Sequence, residues 1–255
     1  MRALFICAGF ATRMYPLTKN FPKPLLKVAE KPVLDYFMEQ VVAFPELEEI
    51  DIVTNALFFE HFSEWKNEWQ AKLDERGVSM EIYNDGTTSN DNRLGAVADL
   101  QFVLGKKDEL TPTLIAAGDN IFRFSLAPLW QKFVETQKNY ILSLPETDSE
   151  KLQRTGVLEI GENDRVLKLH EKPENPPSQW TCPALYCLQP EALEHIPEYL
   201  EQPNAEDAPG FFISHLVERK PVFAHKVEGQ RFDIGSMASY EEANQILTEE
   251  PAVLP

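Results

Sequence analysis

The chain has 255 residues, of which 43% are hydrophobic, and it contains 16 Phe and 4 Trp. This length and apolar content suffice for an α/β domain with a buried core, and they argue against intrinsic disorder. The net charge is −17, from 24 Lys and Arg against 41 Asp and Glu, which disfavours binding to nucleic acids and to anionic membranes. An anionic ligand therefore requires a local cluster of positive charge.

The three cysteines, Cys7, Cys182 and Cys187, are too few for a disulfide framework, and their apolar surroundings do not indicate a zinc cluster. An apolar stretch begins directly after the first two residues without the features of a secretory signal, and no apolar run approaches ~20 residues. We therefore expect a cytoplasmic protein with no membrane partner. A homo-oligomer is compatible with the sequence.

The first predicted element is a buried strand over residues 4–7, and the loop that follows it is suited to binding phosphate. Gly9 permits a tight turn and leaves main-chain N–H groups open to a ligand. Arg13 and Lys23 place two cations in the same loop. Prolines at positions 16, 22 and 24 restrict its conformations. These features predict a polyphosphate site.

Two common phosphate motifs are excluded, since the chain has no G-x-x-x-x-G-K-[ST] and only one Gly of the dinucleotide fingerprint. Residues 9–18 (GFATRMYPLT) and 22–26 (PKPLL) instead resemble the N-terminal motif of the sugar-phosphate nucleotidylyltransferases, G-x-G-T-R-x-x-P-L-T followed by P-K-P-L-L. Ala11 replaces the second Gly of that motif, and we expect it to alter the approach of the phosphates slightly. A structural loop with incidental charges is the alternative.

The resemblance implies roles for the residues of this loop. Arg13 would bind the departing β- and γ-phosphates, and Lys23 would bridge the α-phosphate and the acceptor. Together with Asp119 they form the implied catalytic set. The implied nucleotide-binding residues are Ala8, Gly9, Phe10, Ala11, Thr12, Arg13, Lys23, Asn84, Gly95 and Asp119.

Strands and helices alternate in the next part of the chain, which predicts a mostly parallel, doubly wound sheet. The predicted helices cover residues 33–44, 58–75, 96–104 and 129–138. The predicted strands cover residues 50–53, 78–83, 113–117 and 140–145.

The polar loop of residues 84–95 follows the third of the strands, counted from the start of the chain, and open α/β sheets bind ligands at such strand ends. In the family, this loop and an L-G-x-A sequence hold the nucleotide base, and residues 94–97 (LGAV) are similar. Asn84, through its side-chain amide, and Gly95, through backbone amides, are the candidates. A purely structural excursion is the alternative, and the base is not identified.

Asp119 follows Gly118 at the tip of a predicted strand, where a carboxylate is well placed to hold a hard cation beside polyphosphate. The family has G-D-N or G-D-x at this place. Residues 231–244 resemble its W-x-D-I-G-T/S-x-x-x-Y-x-x-A-N sequence, which implies that Asp233 is a second metal ligand. The expected cofactor is Mg²⁺, held by Asp119 and Asp233. A helix-capping role for either carboxylate is the alternative.

The pattern changes after residue 150. Alternating residues predict a β-hairpin over residues 155–170, followed by a strand over 182–188, a connector over 204–212 and a helix over 213–219. This antiparallel patch resembles the acceptor half of the family, with E-K-P at residues 171–173. The implied acceptor-binding residues are Gly156, Glu171, Lys172 and Ala184.

Chemically, the Lys172 ammonium suits the phosphate of a sugar phosphate, and the Glu171 carboxylate suits sugar hydroxyls. Thr155 and Ala184 replace a Tyr and a Gly of the family, which leaves the sugar unidentified. A last strand (residues 222–227) and helix (237–247) precede a tail.

Together these patterns predict an α/β fold with a doubly wound, mostly parallel sheet, Rossmann-like as in the nucleotide-diphospho-sugar transferases, and an antiparallel substrate-binding patch. We expect one catalytic domain over residues 1–248, with residues 1–145 mainly binding nucleotide, 146–248 mainly binding the acceptor, and a tail at 249–255. The expected enzyme joins a nucleoside triphosphate and a sugar 1-phosphate and releases pyrophosphate. Two alternatives stay open: another phosphomonoester acceptor such as phosphocholine, and a non-catalytic nucleotide-binding relative.

Overall fold

The computed structural model describes residues 1–250. The strands are β1 (Arg2–Ile6), β2 (Lys27–Val28), β3 (Lys31–Pro32), β4 (Glu49–Thr54), β5 (Ser79–Asn84), β6 (Thr113–Ala117), β7 (Asn120–Phe122), β8 (Asn139–Pro145), β9 (Gly156–Ile160), β10 (Val166–Glu171), β11 (Trp180–Cys182), β12 (Leu185–Leu188), β13 (Val222–Lys226) and β14 (Arg231–Asp233). The α-helices are α1 (Val33–Val41), α2 (Phe59–Arg76), α3 (Ala96–Leu104), α4 (Ala127–Thr136), α5 (Ser149–Leu152), α6 (Pro190–Leu193), α7 (His195–Leu200), α8 (Pro209–Val217) and α9 (Met237–Glu249).

The chain forms two compact units, each assembled from separate segments. Unit 1 comprises Met1–Leu94, Ala117–Ala127 and the described part of Gly229–Pro255. Unit 2 comprises Gly95–Ala116 and Pro128–Glu228. The predicted single catalytic domain with two halves stays a prediction, and its tail falls mostly outside the described residues.

Unit 1 contains three neighbouring parallel strands in the order β1, β4, β5. The residues of β1 and β4 are mostly apolar and buried, as expected for parallel strands that are covered on both faces. A separate two-stranded antiparallel ladder pairs β7 with β14. The carboxyl end of β1 leads directly into the predicted phosphate loop.

A buried apolar cluster anchors this loop within unit 1. Met14 of the loop and Leu26, just after Lys23, pack with Ile121 of β7 and Phe232 of β14. The remaining members come from β2, α1, the segment after β14 and α9: Val28, Val33, Tyr36, Ile234, Ala243 and Leu247. Burial of this much apolar surface fixes the loop to the strands that carry the candidate carboxylates.

Unit 2 is mainly antiparallel, with the strand order β10, β9, β11, β8, β12, β6. Strand β13 also pairs with β8, and this pair is parallel. The predicted α/β fold, with parallel strands and an antiparallel patch, is confirmed.

Two predicted boundaries in unit 2 are wrong. The predicted strand over residues 182–188 is divided into β11 and β12, because Pro183 has no N–H group to donate to a ladder. The predicted helix over 213–219 begins at Pro209, where proline suits the first helical position, and so the connector is shorter than predicted.

Between Met1 and Glu250, none of the helices has the length and apolar character that crossing a membrane requires. Cys7, Cys182 and Cys187 are all buried.

Candidate active site

An ion pair between Lys23 and Asp119 lies at the centre of the candidate site in unit 1. The Lys23 ammonium donates a hydrogen bond of 2.5 Å to Oδ2 of Asp119, and the two side chains are only 14% and 26% exposed. Lys23 begins a 3₁₀ turn, Lys23–Leu25, whose residues Pro24 and Leu25 are buried. A loop cation and a strand-end carboxylate, to which the sequence assigns separate roles, are therefore in direct contact.

Gly118 permits this contact because a larger residue would not fit. A Cβ atom at Gly118 would overlap Sγ of Cys7 and would lie 3.3 Å from Cγ of Pro24. The Gly118 N–H also donates to the carbonyl oxygen of Ile6 at 3.2 Å. The end of β1, the turn carrying Lys23 and the residue preceding Asp119 are thus in close contact.

The ladder between β7 and β14 brings Asp233 to the same place. Asp233 pairs with Asn120 in this ladder, and the Ile234 N–H donates to the Asp119 carbonyl oxygen at 3.0 Å. Arg231 connects the strands further, since Nε donates to Oδ1 of Asn120 at 2.6 Å and Nη2 donates to Oδ2 of Asp233 at 3.1 Å.

Arg231 and Asn120 lie within the sequence motifs, but no role in the site is predicted for either of them. The one available signal is that Arg231 precedes Asp233 by two residues, which places both side chains on one face of a strand.

The two carboxyl groups have opposite pKa shifts. Burial acts to raise the pKa of Asp119, but the Lys23 ammonium outweighs it, and the pKa of Asp119 is lowered from its ordinary value. Burial and the negative charge of Asp119 raise the pKa of Asp233, against the opposing effects of Arg231, Lys23 and Arg13. The charges of Arg13, Lys23 and Asp119 therefore all act on the Asp233 carboxyl group.

Arg13 lies near Asp233. Its Nη2 atom would be 3.9 Å from a Cβ atom placed on Gly235, and the same Cβ position is 3.3 Å from Oδ1 of Asp233. Arg13 follows Ala11 in a short 3₁₀ turn, Thr12–Met14. The structure thus brings Arg13, Lys23, Asp119 and Asp233 together in unit 1, while their roles in binding phosphate and metal stay predictions.

Ala11 has a left-handed backbone conformation, with φ 48° and ψ 40°. Its carbonyl oxygen accepts hydrogen bonds from the Thr18 hydroxyl (2.8 Å) and the Met14 N–H (2.9 Å), which hold it in place. The family's Gly at this position suits such a conformation, whereas a residue with a Cβ atom is strained there. The departure from the family motif therefore affects the backbone as well as access to the amide.

The rest of the loop combines one open position with buried ones. A Cβ atom added to Gly9 would have no atom of residues 1–250 within 4 Å, apart from its chain neighbours, so this side of the backbone faces open space. Ala8 and Phe10 are buried, and the Ala8 carbonyl oxygen accepts from the Asn55 amide at 2.9 Å. Thr12 is exposed.

Helix α9 supports the segment that follows Lys23. The Tyr240 hydroxyl donates to the carbonyl oxygen of Lys27 at 2.7 Å, and Oδ1 of Asn244 accepts from the Ala29 N–H at 2.8 Å. Tyr240 and Asn244, two residues of the C-terminal family motif, thus hold the backbone of residues 27–29 in place. Ala243 of the same motif is buried in the core.

The donor set at Asp119 and Asp233 fits a hard divalent cation. Mg²⁺ binds proteins through one or two carboxylates and completes its shell with phosphate oxygens and water. The raised pKa of Asp233 partly reflects neighbouring negative charge that a cation would neutralise.

The two residues predicted to bind the base lie in different units. Asn84 ends β5 in unit 1, and its Oδ1 accepts from the Gly86 N–H at 2.8 Å in a tight turn. Gly95 caps helix α3 of unit 2 with φ 97°, and a Cβ atom there would be 2.5 Å from Cβ of Asp207. Both features give these residues a structural role, and base binding stays a prediction.

The predicted acceptor residues include one carboxylate that packs against two glycines of unit 2. Oε2 of Glu171 would be 3.3 Å from a Cβ atom on Gly156 and would overlap one on Gly210, in the first turn of α8. The pKa of Glu171 is raised from its ordinary value. Burial has the largest effect, the positive charge of Lys172 opposes it, and the negative charge of Glu206 adds to it. Lys172 Nζ lies 3.8 Å from Oε1 of Glu171 and is largely exposed.

Gly210 and Glu206 are not among the residues that the sequence predicts for this site. Ala184 lies in the turn between β11 and β12 and is half-buried.

A family model described as "Nucleotidyl transferase" matches residues 2–250. The chain belongs to the nucleotidyl transferase family. It is 28% identical over 256 residues to the bifunctional protein GlmU of Methanocaldococcus jannaschii, covering 98% of this chain and 55% of that protein. The chain thus spans about half the length of this relative.

Two further proteins are similar over nearly their whole length. The UTP–glucose-1-phosphate uridylyltransferase AglF of Haloferax volcanii is 25% identical over 257 residues, with 98% of each chain covered. A solved structure of a UDP-glucose pyrophosphorylase complexed with UDP-glucose has a TM-score of 0.81 at 21% identity, with 98% of each chain covered. At this low identity, the similarity to the solved structure shows only that this nucleotidyl transferase has the same fold.

We expect Ala11→Gly to stabilise the protein. A left-handed conformation costs a residue with a Cβ atom about 1–2 kcal/mol, whereas Gly loses about 0.5–1 kcal/mol more backbone entropy on folding. The free energy of unfolding in urea should therefore rise by up to about 1.5 kcal/mol. The matched control is Ala71→Gly in the exposed interior of α2, which should lower it by about 1 kcal/mol. Equal losses in both variants would contradict the strain at Ala11.

We expect Asp119→Asn and Glu171→Gln to change stability in opposite directions at neutral pH. Because the pKa of Asp119 is lowered, its ionised form stabilises the fold above the ordinary value of 3.8, and this contribution disappears as the pH falls through the folded-state pKa. Asp119→Asn should therefore cost on the order of 1–3 kcal/mol at neutral pH and little in acid.

The pKa of Glu171 is raised, so its ionised form is unfavourable in the folded protein. Glu171→Gln should be more stable than the unsubstituted protein at neutral pH, and its advantage should vanish below the ordinary value of 4.5. Urea denaturation across neutral to acid pH measures both differences. Shifts of the same sign in the two variants would be inconsistent with these environments.

Proposed function

We propose that this nucleotidyl transferase joins a nucleoside triphosphate to a sugar 1-phosphate and releases pyrophosphate. The observation that carries the proposal is the cluster of Lys23, Asp119, Arg13 and Asp233 in a chain whose net charge is −17. An acidic protein that groups cations with carboxylates at one strand end is suited to binding phosphate groups together with a divalent cation. The name of AglF supports UTP and glucose 1-phosphate as the first substrates to test.

The chemistry requires positioning and charge neutralisation more than covalent catalysis. An oxygen of the acceptor phosphate attacks the α-phosphorus of the triphosphate, and pyrophosphate leaves in line. No general base is needed, because a phosphate monoester is already ionised near neutral pH. Lys23 binds the α-phosphate and acceptor oxygens, and Arg13 binds the β- and γ-phosphates.

Asp119 and Asp233 would hold Mg²⁺, which would neutralise phosphate charge when bound. Asp119 also holds the Lys23 ammonium in place through the 2.5 Å hydrogen bond, and Arg231 holds the Asp233 carboxylate at 3.1 Å. Charged groups whose positions are fixed in advance need little reorganisation when they stabilise a transition state.

In unit 2, Glu171 accepts hydrogen bonds from sugar hydroxyls, and Lys172 binds the acceptor phosphate. Gly156 and Gly210 leave room for the Glu171 carboxylate, and Ala184 completes the predicted acceptor residues. The base-binding roles that the resemblance implies for Asn84, in unit 1, and for Gly95, in unit 2, belong to this proposal. The assignment of residues 1–145 mainly to nucleotide and 146–248 mainly to acceptor, and a location in the cytoplasm, belong to the same proposal.

A panel of acceptors tests this function directly. Each triphosphate is incubated with Mg²⁺ and with glucose 1-phosphate, other sugar 1-phosphates or phosphocholine, and pyrophosphate release is measured. We expect release with UTP and a sugar 1-phosphate. If pyrophosphate is released only with phosphocholine, the acceptor is not a sugar 1-phosphate but another phosphomonoester. If nucleotide binds but no pair releases pyrophosphate, the protein is a non-catalytic relative.

We expect Lys23→Ala to lower turnover by roughly 10²–10³-fold while the protein stays folded, because it removes a cation positioned for the transition state. The matched control is Lys27→Ala, four residues later, where the side chain is exposed on β2. Turnover is measured under saturating substrates, with circular dichroism to verify folding. If Lys23→Ala and Lys27→Ala had the same turnover, the role assigned to Lys23 would be wrong.

A further inference from the structure

A second group of metal-ligating side chains lies in unit 2, on helices α7 and α8. His195, Glu198 and His215 each offer one nitrogen or oxygen atom, and these atoms all lie within 4.8 Å of one another. His195 and Glu198 are three residues apart on α7 and so lie on one helix face. His215 comes from α8. The proposed function uses none of these residues.

The distances are close to those of a tetrahedral zinc site. Zn²⁺ binds imidazole nitrogen and carboxylate oxygen at about 2.0–2.2 Å, which separates neighbouring ligand atoms by about 3.4 Å. Here Nδ1 of His195 is 3.0 Å from Oε2 of Glu198, and Nε2 of His215 is 3.8 Å from Oε1 of Glu198. These two distances end on different oxygens of Glu198. One ligand atom from each of the three residues already lies within 4.8 Å of the other two, so a rotation of the exposed Glu198 carboxylate would bring a single oxygen towards both nitrogens.

His215 is the most informative member of the group. Its side chain is 6% exposed, and Nε2 is buried without a hydrogen-bond partner among residues 1–250, although it faces Glu198. A buried polar atom without a partner is costly unless something binds it.

The surrounding residues can orient the three ligands. The Gln202 side-chain amide lies 2.7 Å from Nδ1 of His215, and a half-turn of this amide presents its oxygen to an N–H at Nδ1, leaving Nε2 as the ligand. Nε of Arg219 donates to Oε1 of Glu198 at 3.1 Å and leaves Oε2 towards His195. Metal ligands commonly have such hydrogen-bonded outer partners.

We propose that His195, Glu198 and His215 form a site for a divalent transition-metal cation of the zinc type. Three protein ligands leave one position for water. Glu198 is 52% exposed and His195 is 22% exposed, so the ion can enter from solvent. Nitrogen ligands distinguish this site from the carboxylate pair at Asp119 and Asp233, because Mg²⁺ prefers oxygen ligands whereas imidazole suits zinc.

The bound cation would connect α7 to α8 across the connector of residues 201–208. Tyr199 of α7 already binds this connector, since its hydroxyl donates to the Glu206 carbonyl oxygen at 2.7 Å. The connector carries Asp207, which packs against Gly95, and Glu206, whose charge acts on Glu171. The cation would therefore stabilise a segment that lies beside two of the predicted binding residues.

The test measures Zn²⁺ binding to the full chain in competition with a chromophoric chelator. A large excess of Mg²⁺ is present to occupy oxygen-only sites. We expect one Zn²⁺ per chain, and at least about tenfold weaker binding for His195→Gln and for Glu198→Gln. Zn²⁺ should also raise the melting temperature and slow hydrogen exchange in residues 201–208, and Glu198→Gln should lose both effects.

The matched control is His170→Gln. His170 forms a similar pair with Glu159, with 2.5 Å between Nε2 and Oε1, but this pair belongs to no group of three ligands in the described chain. His170→Gln should bind Zn²⁺ like the unsubstituted protein. The proposal is overturned if the unsubstituted protein binds no Zn²⁺ under excess Mg²⁺, if His195→Gln and Glu198→Gln bind it equally well, or if His170→Gln loses as much affinity as they do.

Discussion

The ion pair between Lys23 and Asp119 is the interaction on which the rest of the candidate active site depends. Both side chains are largely buried, and a buried charge is costly unless an opposite charge and hydrogen bonds compensate it. Each partner therefore restricts the other to one position. The contact requires Gly118, since any larger residue would displace Cys7 or Pro24. The ion pair thus restricts the residues that can lie beside it, because position 118 has no room for a side chain.

The same constraint explains why distant segments converge on this point. The ladder between β7 and β14 links Asp119 and Asn120 to Arg231 and Asp233, and its apolar residues enter the cluster that also holds Met14 and Leu26. Strands β7 and β14 are therefore held in place both by apolar packing and by compensation of charge. The strain at Ala11 is tolerated because Thr18 and Met14 both bond its carbonyl oxygen.

Local sequence signals suffice for the parts of the site that depend on neighbouring residues. Apolar runs identify the strands, and Gly118-Asp119 at a strand end identifies the carboxylate, because these signals arise from backbone sterics and burial. The β7–β14 ladder, by contrast, joins residues more than a hundred positions apart and has no local signature, so the sequence does not reveal the role of Arg231. The predicted start of α8 is too late because Pro209 and Gly210 are typical of turns, whereas proline also suits a first helical position.

The group of His195, Glu198 and His215 is a clearer case of contacts that the sequence alone does not reveal. His195 and Glu198 have the spacing of neighbours on a helix, but such pairs are common on protein surfaces and predict little alone. The third ligand, His215, is brought in by the packing of α7 and α8, and only its burial distinguishes the group from an ordinary surface pair. The two proposed cation sites therefore differ in how the chain forms them and in their chemistry. Asp119 and Asp233 offer only oxygen atoms beside bound Lys and Arg side chains, whereas the helices offer two imidazoles, so one can be filled or emptied without the other.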